Sequence, residues 1–266
     1  MPTATRPTAP HDAEPQLPAV LGVEHSVSGR RWAWRGNAED PATERMAGAL
    51  AQQLGLPHTV GRLLALRGIT PEQAAHYLEP RLQSLLPDPS CLTDMDKAAA
   101  RIATAVQQGE TIGVFGDYDV DGACASAILA AVLEELGCRV LTHIPDRMTE
   151  GYGPNQPALQ ALVAQGASLL ICVDCGTASA DVLNPLAGQA DIIVLDHHKS
   201  EDALPAIHAT VNPNRPDCPS GLGSICAAAL AFLAMVATRR SLRDASWFTP
   251  DRPPPDLMRQ LDLVPL

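Results

Sequence analysis

Aromatic residues are scarce: three Phe, three Tyr and three Trp make up 3% of the 266 residues. The core must therefore be built from Ala, Leu, Val and Ile, and the chain carries few rings on which bases could stack. Positive charge is also short, with 19 Lys and Arg against 30 Asp and Glu and a formal net charge of −11. That balance opposes binding of nucleic acid through a simple basic surface. No uncharged apolar run reaches the roughly 18 residues a membrane-spanning helix needs, so no membrane association is expected. The opening MPTATRPTAPHDAEPQLP lacks the apolar stretch of a secretory signal. Seven cysteines, an odd number set mostly in apolar runs, argue against a disulfide framework and for a reducing compartment, the cytoplasm.

What is present is ample apolar material, 46% of residues against 18% charged, enough for one large domain with a smaller appendage. Residues 1–18 read as a flexible Pro- and Thr-rich leader, and TPDRPPP at 249–255 as a loop. Residues 19–93 form an N-terminal segment with a small helical unit at 43–90. Helices are expected there over 43–54, 59–67 and 71–78, the last opened by Thr70 as N-cap and Pro71 at its first position. From 94 to 266 the pattern alternates. Helices are expected at 95–108, Ala123–Leu136, 156–165, 179–187 and Ile225–Val236, and strands at Thr111–Phe115, Val140–Ile144, Leu169–Val173 and Ile192–Leu195. Strands alternating with helices predict an α/β fold, a doubly wound and mainly parallel sheet flanked by helices.

Ligands of such sheets bind beyond the carboxyl ends of the strands, and there the sequence places acids and histidines. Gly116-Asp117-Tyr118-Asp119-Val120-Asp121-Gly122 follows the first strand. Read as an extended segment, its alternation puts three carboxylates on one side, an arrangement that calls for a cation. An EF-hand loop also begins DxDxDG, but its twelfth position would be Ile128, and a strand precedes it. Asp174 ends the third strand, within Val173-Asp174-Cys175-Gly176-Thr177, while Asp196-His197-His198 ends the fourth. The Cys172-x-x-Cys175 spacing falls inside a strand and reads as structural thiols. After the second strand, Arg147 is a candidate phosphate clamp beside the turn Gly151-Tyr152-Gly153-Pro154. Hard oxygens with imidazole favour Mn²⁺ or Mg²⁺ over zinc. Two such ions suit the ligand count and the logic of phosphoester hydrolysis.

The segments GDYDVDG, PDRMTEGYGPN, VDCGT, LDHHKS and NPNRPDCPSGLGS occur in that order. Together they resemble the DHH phosphoesterase superfamily and, within it, the RecJ-type single-strand-specific 5′→3′ DNA exonucleases, from about residue 60 onward. The resemblance implies a two-metal site. Asp117, Asp119 and Asp174 would hold one ion, and Asp121, Asp174 and His197 the other. His198 and Arg147 would face the phosphate, Asp196 would orient the histidines, and Asp262, in the closing LDLVPL, would be a last ligand. It implies single-stranded DNA as substrate, a role in recombination and repair, and partners such as a single-strand-binding protein or a helicase. It further implies that the chain corresponds to the N-terminal portion of such an enzyme, whose remaining domains would supply basic surface. Two other readings are a phosphoesterase for oligonucleotides or pyrophosphate, and an inactive metal-binding fragment.

Overall fold

The computed structural model of the chain describes residues 19–33, 40–199 and 203–264, so the leader expected at 1–18 lies outside it. Two compact units divide the chain, Met1–Leu86 and Pro87–Leu266. The first holds helices α1 (Pro41–Leu54), α2 (His58–Leu66), α3 (Pro71–Leu78) and the single turn α4 (Leu82–Leu85). Asp40 caps α1 by accepting from the Thr43 N–H, and Thr70 and Pro71 open α3 as the sequence predicts, with the Thr70 N–H donating to Gln73 Oε1 at 3.1 Å. The core of this unit is small: Leu50, Leu64 and Ala74, ringed by Leu54, Leu56, Val60 and Ile69. Helices α1 and α2 approach closely because Gly61 has no side chain; a Cβ there would lie 2.3 Å from the Ala47 carbonyl oxygen.

In the second unit α5 (Met95–Gln108) leads into β1 (Thr111–Phe115), α6 (Val120–Glu135), β2 (Arg139–His143), α7 (Gln156–Ala164) and β3 (Ala167–Val173). There follow the short α8 (Ala180–Leu183), β4 (Asp191–Leu195), β5 (Ala209–Val211) and α9 (Ala227–Asp244). The five strands are all parallel and lie in the order β2-β1-β3-β4-β5. A parallel sheet hides both faces, which is why β3 and β4 read as near-continuous Leu, Ile and Val. On one face α5, α6 and α9 bury Ile102, Ile128, Leu129, Leu230 and Leu233 against Ile112, Val114, Ile171 and Ile193. On the other, α7 and α8 cover Phe115, Leu170, Cys172 and Val194. Ala-rich surfaces on α5, α6 and α9 replace the missing aromatics.

The expected elements are present, most of their ends within two residues of expectation, with these larger differences. Helix α6 starts at Val120 rather than Ala123, because the Asp119 carboxylate caps it by accepting from the Gly122 N–H at 2.9 Å. Asp121 is therefore in the first helical turn, and the extended reading of Asp117 to Asp121 is corrected. Residues 179–187 split into α8 and a 3-10 turn, Asn184–Leu186, since Pro185 cannot supply an amide to continue the helix. Helix α9 runs on to Asp244 beyond its apolar stretch. Strand β5 was not anticipated: at three residues it is too short to show alternation, and it exists by pairing along β4. Among the described residues no helix is long and apolar enough to cross a membrane.

Candidate metal centre

The strand order reverses direction between β1 and β3, and a doubly wound sheet opens a crevice where it does so. Asp117 leaves the end of β1 and Asp174 the end of β3, so two non-consecutive strands deliver two buried carboxylates, 4% and 1% exposed, to that crevice. Glycines permit the approach. A Cβ on Gly122 would lie 2.6 Å from the Asp117 carbonyl oxygen, and one on Gly116 2.1 Å from Ser126 Oγ, so the end of β1 and the first turn of α6 touch directly.

Ligand atoms fall into two groups that share Asp174. One oxygen or ring nitrogen from each of Asp174, His197 and His198 lies within 4.8 Å of the others, and the same holds for Asp117, Asp119 and Asp174. His197 Nε2 sits 3.2 Å from Asp174 Oδ1 and 3.4 Å from Asp121 Oδ2. Asp121 also receives the N–H groups of Ala227 and Ala228 at 2.7 and 2.8 Å, tying the site to the start of α9. Asp262 is exposed on a 3-10 helix, Leu257–Leu263, and belongs to neither group.

The electrostatics are those of a cluster without its counter-charge. Burial, then the charges of Asp121 and Asp119, push the Asp174 carboxyl up to about 8. Burial likewise raises Asp117. Asp117 Oδ1 is buried with no hydrogen bond, and Asp174 Oδ1 has only the misaligned His197 ring nitrogen 3.2 Å away; a buried carboxylate oxygen without a hydrogen bond is costly. Asp174 holds a left-handed backbone, φ 60°, which Asp and Asn tolerate better than other side chains. Hard oxygen donors, like charge and orphaned lone pairs together fit a divalent cation.

Asp196 plays a different part. Its Oδ1 accepts from the N–H groups of His197 and His198 and from His198 Nδ1 at 2.8 Å, while Oδ2 accepts from the Thr177 N–H at 3.0 Å. Burial would raise its carboxyl, but bonds from His198 and Thr177 outweigh it and the net shift is downward. The same hydrogen bond raises His198. Asp196 thus grips the ring of His198, and of His197 only the backbone. Arg147 is exposed at the rim and lies over the Tyr118 ring, 5.4 Å from its centroid. The turn after β2 brings Tyr152 to the site, its hydroxyl 3.3 Å from both the Asp174 carbonyl oxygen and His198 Nδ1. Glu150 braces that turn, accepting from the Asp146 N–H and Asn155 and bonding His143. Neither Tyr118 nor Tyr152 is marked as a site residue by the sequence, whose one signal is that two of three tyrosines flank the acidic motifs. All seven cysteines are unbridged, and burial pushes Cys172 up to about 12, so the Cys172–Cys175 pair is not a reactive thiolate.

Residues 111–251 match the family model "DHH family, N-terminal domain". The chain is 36% identical over 214 residues to the single-stranded-DNA-specific exonuclease RecJ of Escherichia coli, covering 79% of this chain and 36% of that one. To its namesake from Bacillus subtilis it is 35% identical over 187 residues, 69% of this chain and 24% of the relative. It therefore spans about a third or less of the length of these relatives. Among solved structures, RecJ from Thermus thermophilus in complex with Mn²⁺ superposes with a TM-score of 0.63 at 28% identity, covering 84% of this chain and 29% of that one. An exonuclease RecJ bound to manganese gives 0.54 at 32% identity, over 65% and 42% of the two chains. With more than half its length matched to the family model, and with sheet and acidic crevice as described, this chain belongs to the DHH family, and its curated relatives are RecJ exonucleases.

Proposed function

We propose that the crevice between β1 and β3 hydrolyses phosphodiester bonds with two divalent cations, Mn²⁺ or Mg²⁺, and that the chain is the DHH portion of a single-strand-specific 5′→3′ DNA exonuclease. The observation that carries this reading is Asp174, a buried carboxylate shared by two ligand groups and left without a hydrogen bond on Oδ1. Asp117 and Asp119 would complete one ion's set with Asp174. Asp121 and His197 would complete the other's, with Asp262 reaching it only if the last turn repacks. Bound there, the cations would lower the pKa of an attacking water and neutralise charge on the phosphate.

The protein's own groups do the rest. Asp196 holds His198 Nδ1 and favours its protonated form, so Nε2 is the ring nitrogen left to donate to a phosphate oxygen. Arg147, at the mouth beside Tyr118, would add a second cationic donor. A terminal nucleotide held between these groups and the acids would sit in line for attack. A role in recombination and repair, contact with a single-strand-binding protein or a helicase, and a cytoplasmic location consistent with seven unbridged cysteines extend the same proposal.

The test incubates the chain with Mn²⁺ and 5′-labelled single-stranded DNA, beside a duplex control and Asp174→Asn, a substitution that suits the left-handed backbone. Release confined to single strands and lost in the variant supports the proposal. Mn²⁺ bound in calorimetry without release from any strand would overturn the exonuclease activity of this chain. The net charge of −11 favours a second reading, a phosphoesterase for short oligonucleotides or pyrophosphate, which the same assay detects with those substrates.

A further inference from the structure

The two histidines at the end of β4 lie outside any regular element, yet their backbone is fully engaged. Asp196 Oδ1 takes both of their N–H groups, at 2.8 and 3.1 Å. The carbonyls are held from the segment after β5: Asn214 Nδ2 donates to the His197 carbonyl at 2.6 Å, and Asn212 Nδ2 to the His198 carbonyl at 2.9 Å. Where a strand would use its neighbour's backbone, this dipeptide uses three side chains.

The two asparagines are themselves fixed. Asn212, 1% exposed, donates also to Thr177 Oγ1 at 2.9 Å, and its Oδ1 accepts from the Asn214 N–H at 2.7 Å. Thr177 donates its N–H to Asp196, which closes a ring through Asp196, His198, Asn212 and Thr177. Asn214 Nδ2 reaches the Gly223 carbonyl at 3.0 Å as well, and a Cβ on Gly223 would lie 2.6 Å from Asn214 Oδ1, so that glycine makes room for the amide. Arg215 anchors the segment to Asp94 at 2.9 Å and to the Thr210 carbonyl.

We infer that Asn212 and Asn214 are positioning residues that set the height and direction of His197 and His198 above the acidic crevice. A carboxamide suits the task because it donates to a carbonyl and accepts from an amide at once. An aspartate at 212 would keep the shape and the bond from Asn214 but could not donate to His198. Residues orienting metal ligands from behind commonly change metal affinity by about tenfold to a hundredfold.

The consequence for metal affinity rests on the proposed ligand set, so the test reads the histidines separately. Asn214→Ala, at a half-buried position, and the isosteric Asn212→Asp are compared with wild type by Mn²⁺ calorimetry and by NMR of ¹⁵N-labelled histidine in the metal-free protein. Asn184→Ala serves as a control: Asn184 Oδ1 holds the Ala206 N–H in a loop away from the site. Both asparagine variants are expected to displace the imidazole signals of His197 and His198 and to weaken Mn²⁺ binding at least about tenfold, while the control leaves both unchanged. Folded variants, by circular dichroism, with wild-type histidine signals and affinity within about twofold overturn the inference. If wild type itself binds no Mn²⁺, the metal reading fails and the histidine signals alone decide: displaced supports the positioning role, unchanged overturns it. Should Asn214→Ala not fold, Asn212→Asp carries the decision.

Discussion

The two ends of the same sheet treat charge in opposite ways. At the amino-terminal edge, Arg101 of α5 makes a two-pronged bond to Glu110 at 2.8 and 3.0 Å and reaches Asp191 at the start of β4. Ser168 adds a hydroxyl to Glu110. Glu110 and Asp191 thus each have a cation, and Glu110 is held below the usual carboxylate range by Arg101. At the carboxyl-terminal edge, ligand atoms of Asp117, Asp119 and Asp174, and of Asp174, His197 and His198, converge within 4.8 Å, with Asp121 3.4 Å from His197. Satisfied charge at one edge secures the strands; at the other, Asp119 and Asp121 have backbone donors, while Asp117 and Asp174 are held buried by the fold around them with their carboxyls raised.

The sharpest break in that contrast is Asp174→Asn. Because the Asp174 carboxyl is pushed up to about 8, removing it is expected to raise the melting temperature of the metal-free protein at pH above that value, where the folded state would otherwise have to ionise it, by about 2–4 °C for each kcal/mol relieved. It should also abolish the further rise that Mn²⁺ gives wild type. Calorimetric scans with and without Mn²⁺ check both; a variant that still gains stability from Mn²⁺ would place the ion elsewhere.

Gly122→Ala tests whether the acids depend on the close approach of strand and helix. Alanine favours a helix over glycine by about 1 kcal/mol. Here, however, its Cβ would fall 2.6–2.7 Å from backbone and Cβ atoms of Asp117, and such atoms move only with the strand. Overpacking should win, with a net loss of about 1–3 kcal/mol in urea unfolding and weaker Mn²⁺ binding than wild type. Unchanged stability would show that the end of β1 yields.

A smaller effect is expected at the opposite edge. Glu110→Gln removes one partner of a partly buried ion pair, 13% and 14% exposed, and should cost about 1–2 kcal/mol at neutral pH, with Mn²⁺ affinity unaltered. Because the folded carboxyl lies below its ordinary value of 4.5, its contribution is present above that value and is lost as pH falls through the depressed one. The gap between wild type and variant should therefore close in acid; a gap that persists below the folded value would make the contribution one of packing.

How much of this was legible follows from the range of each interaction. Apolar periodicity acts within a few residues, so α5, α6 and β1 to β4 could be read with small errors at their ends. The ends that moved did so through single side chains, as when Asp119 capped α6 and drew Asp121 out of the extended segment. Strand β5 and the asparagines behind His197 and His198 were not legible, because each depends on a partner distant in sequence: Thr210 pairs with Val194, and Asn212 with Thr177. Tyr152 lay in plain view as part of a turn, but nothing local said that its hydroxyl would meet Asp174.

That acids and histidines sit at the ends of parallel strands can be read from residue order, since alternating strand and helix leave every carboxyl end at one rim. That β1 and β3 are neighbours, which makes Asp117 and Asp174 a pair and Asp174 the shared member of two groups, emerges only from the packed fold. Strand order is chosen by how helices cover both faces of the sheet, a property of the packed whole that no local pattern encodes.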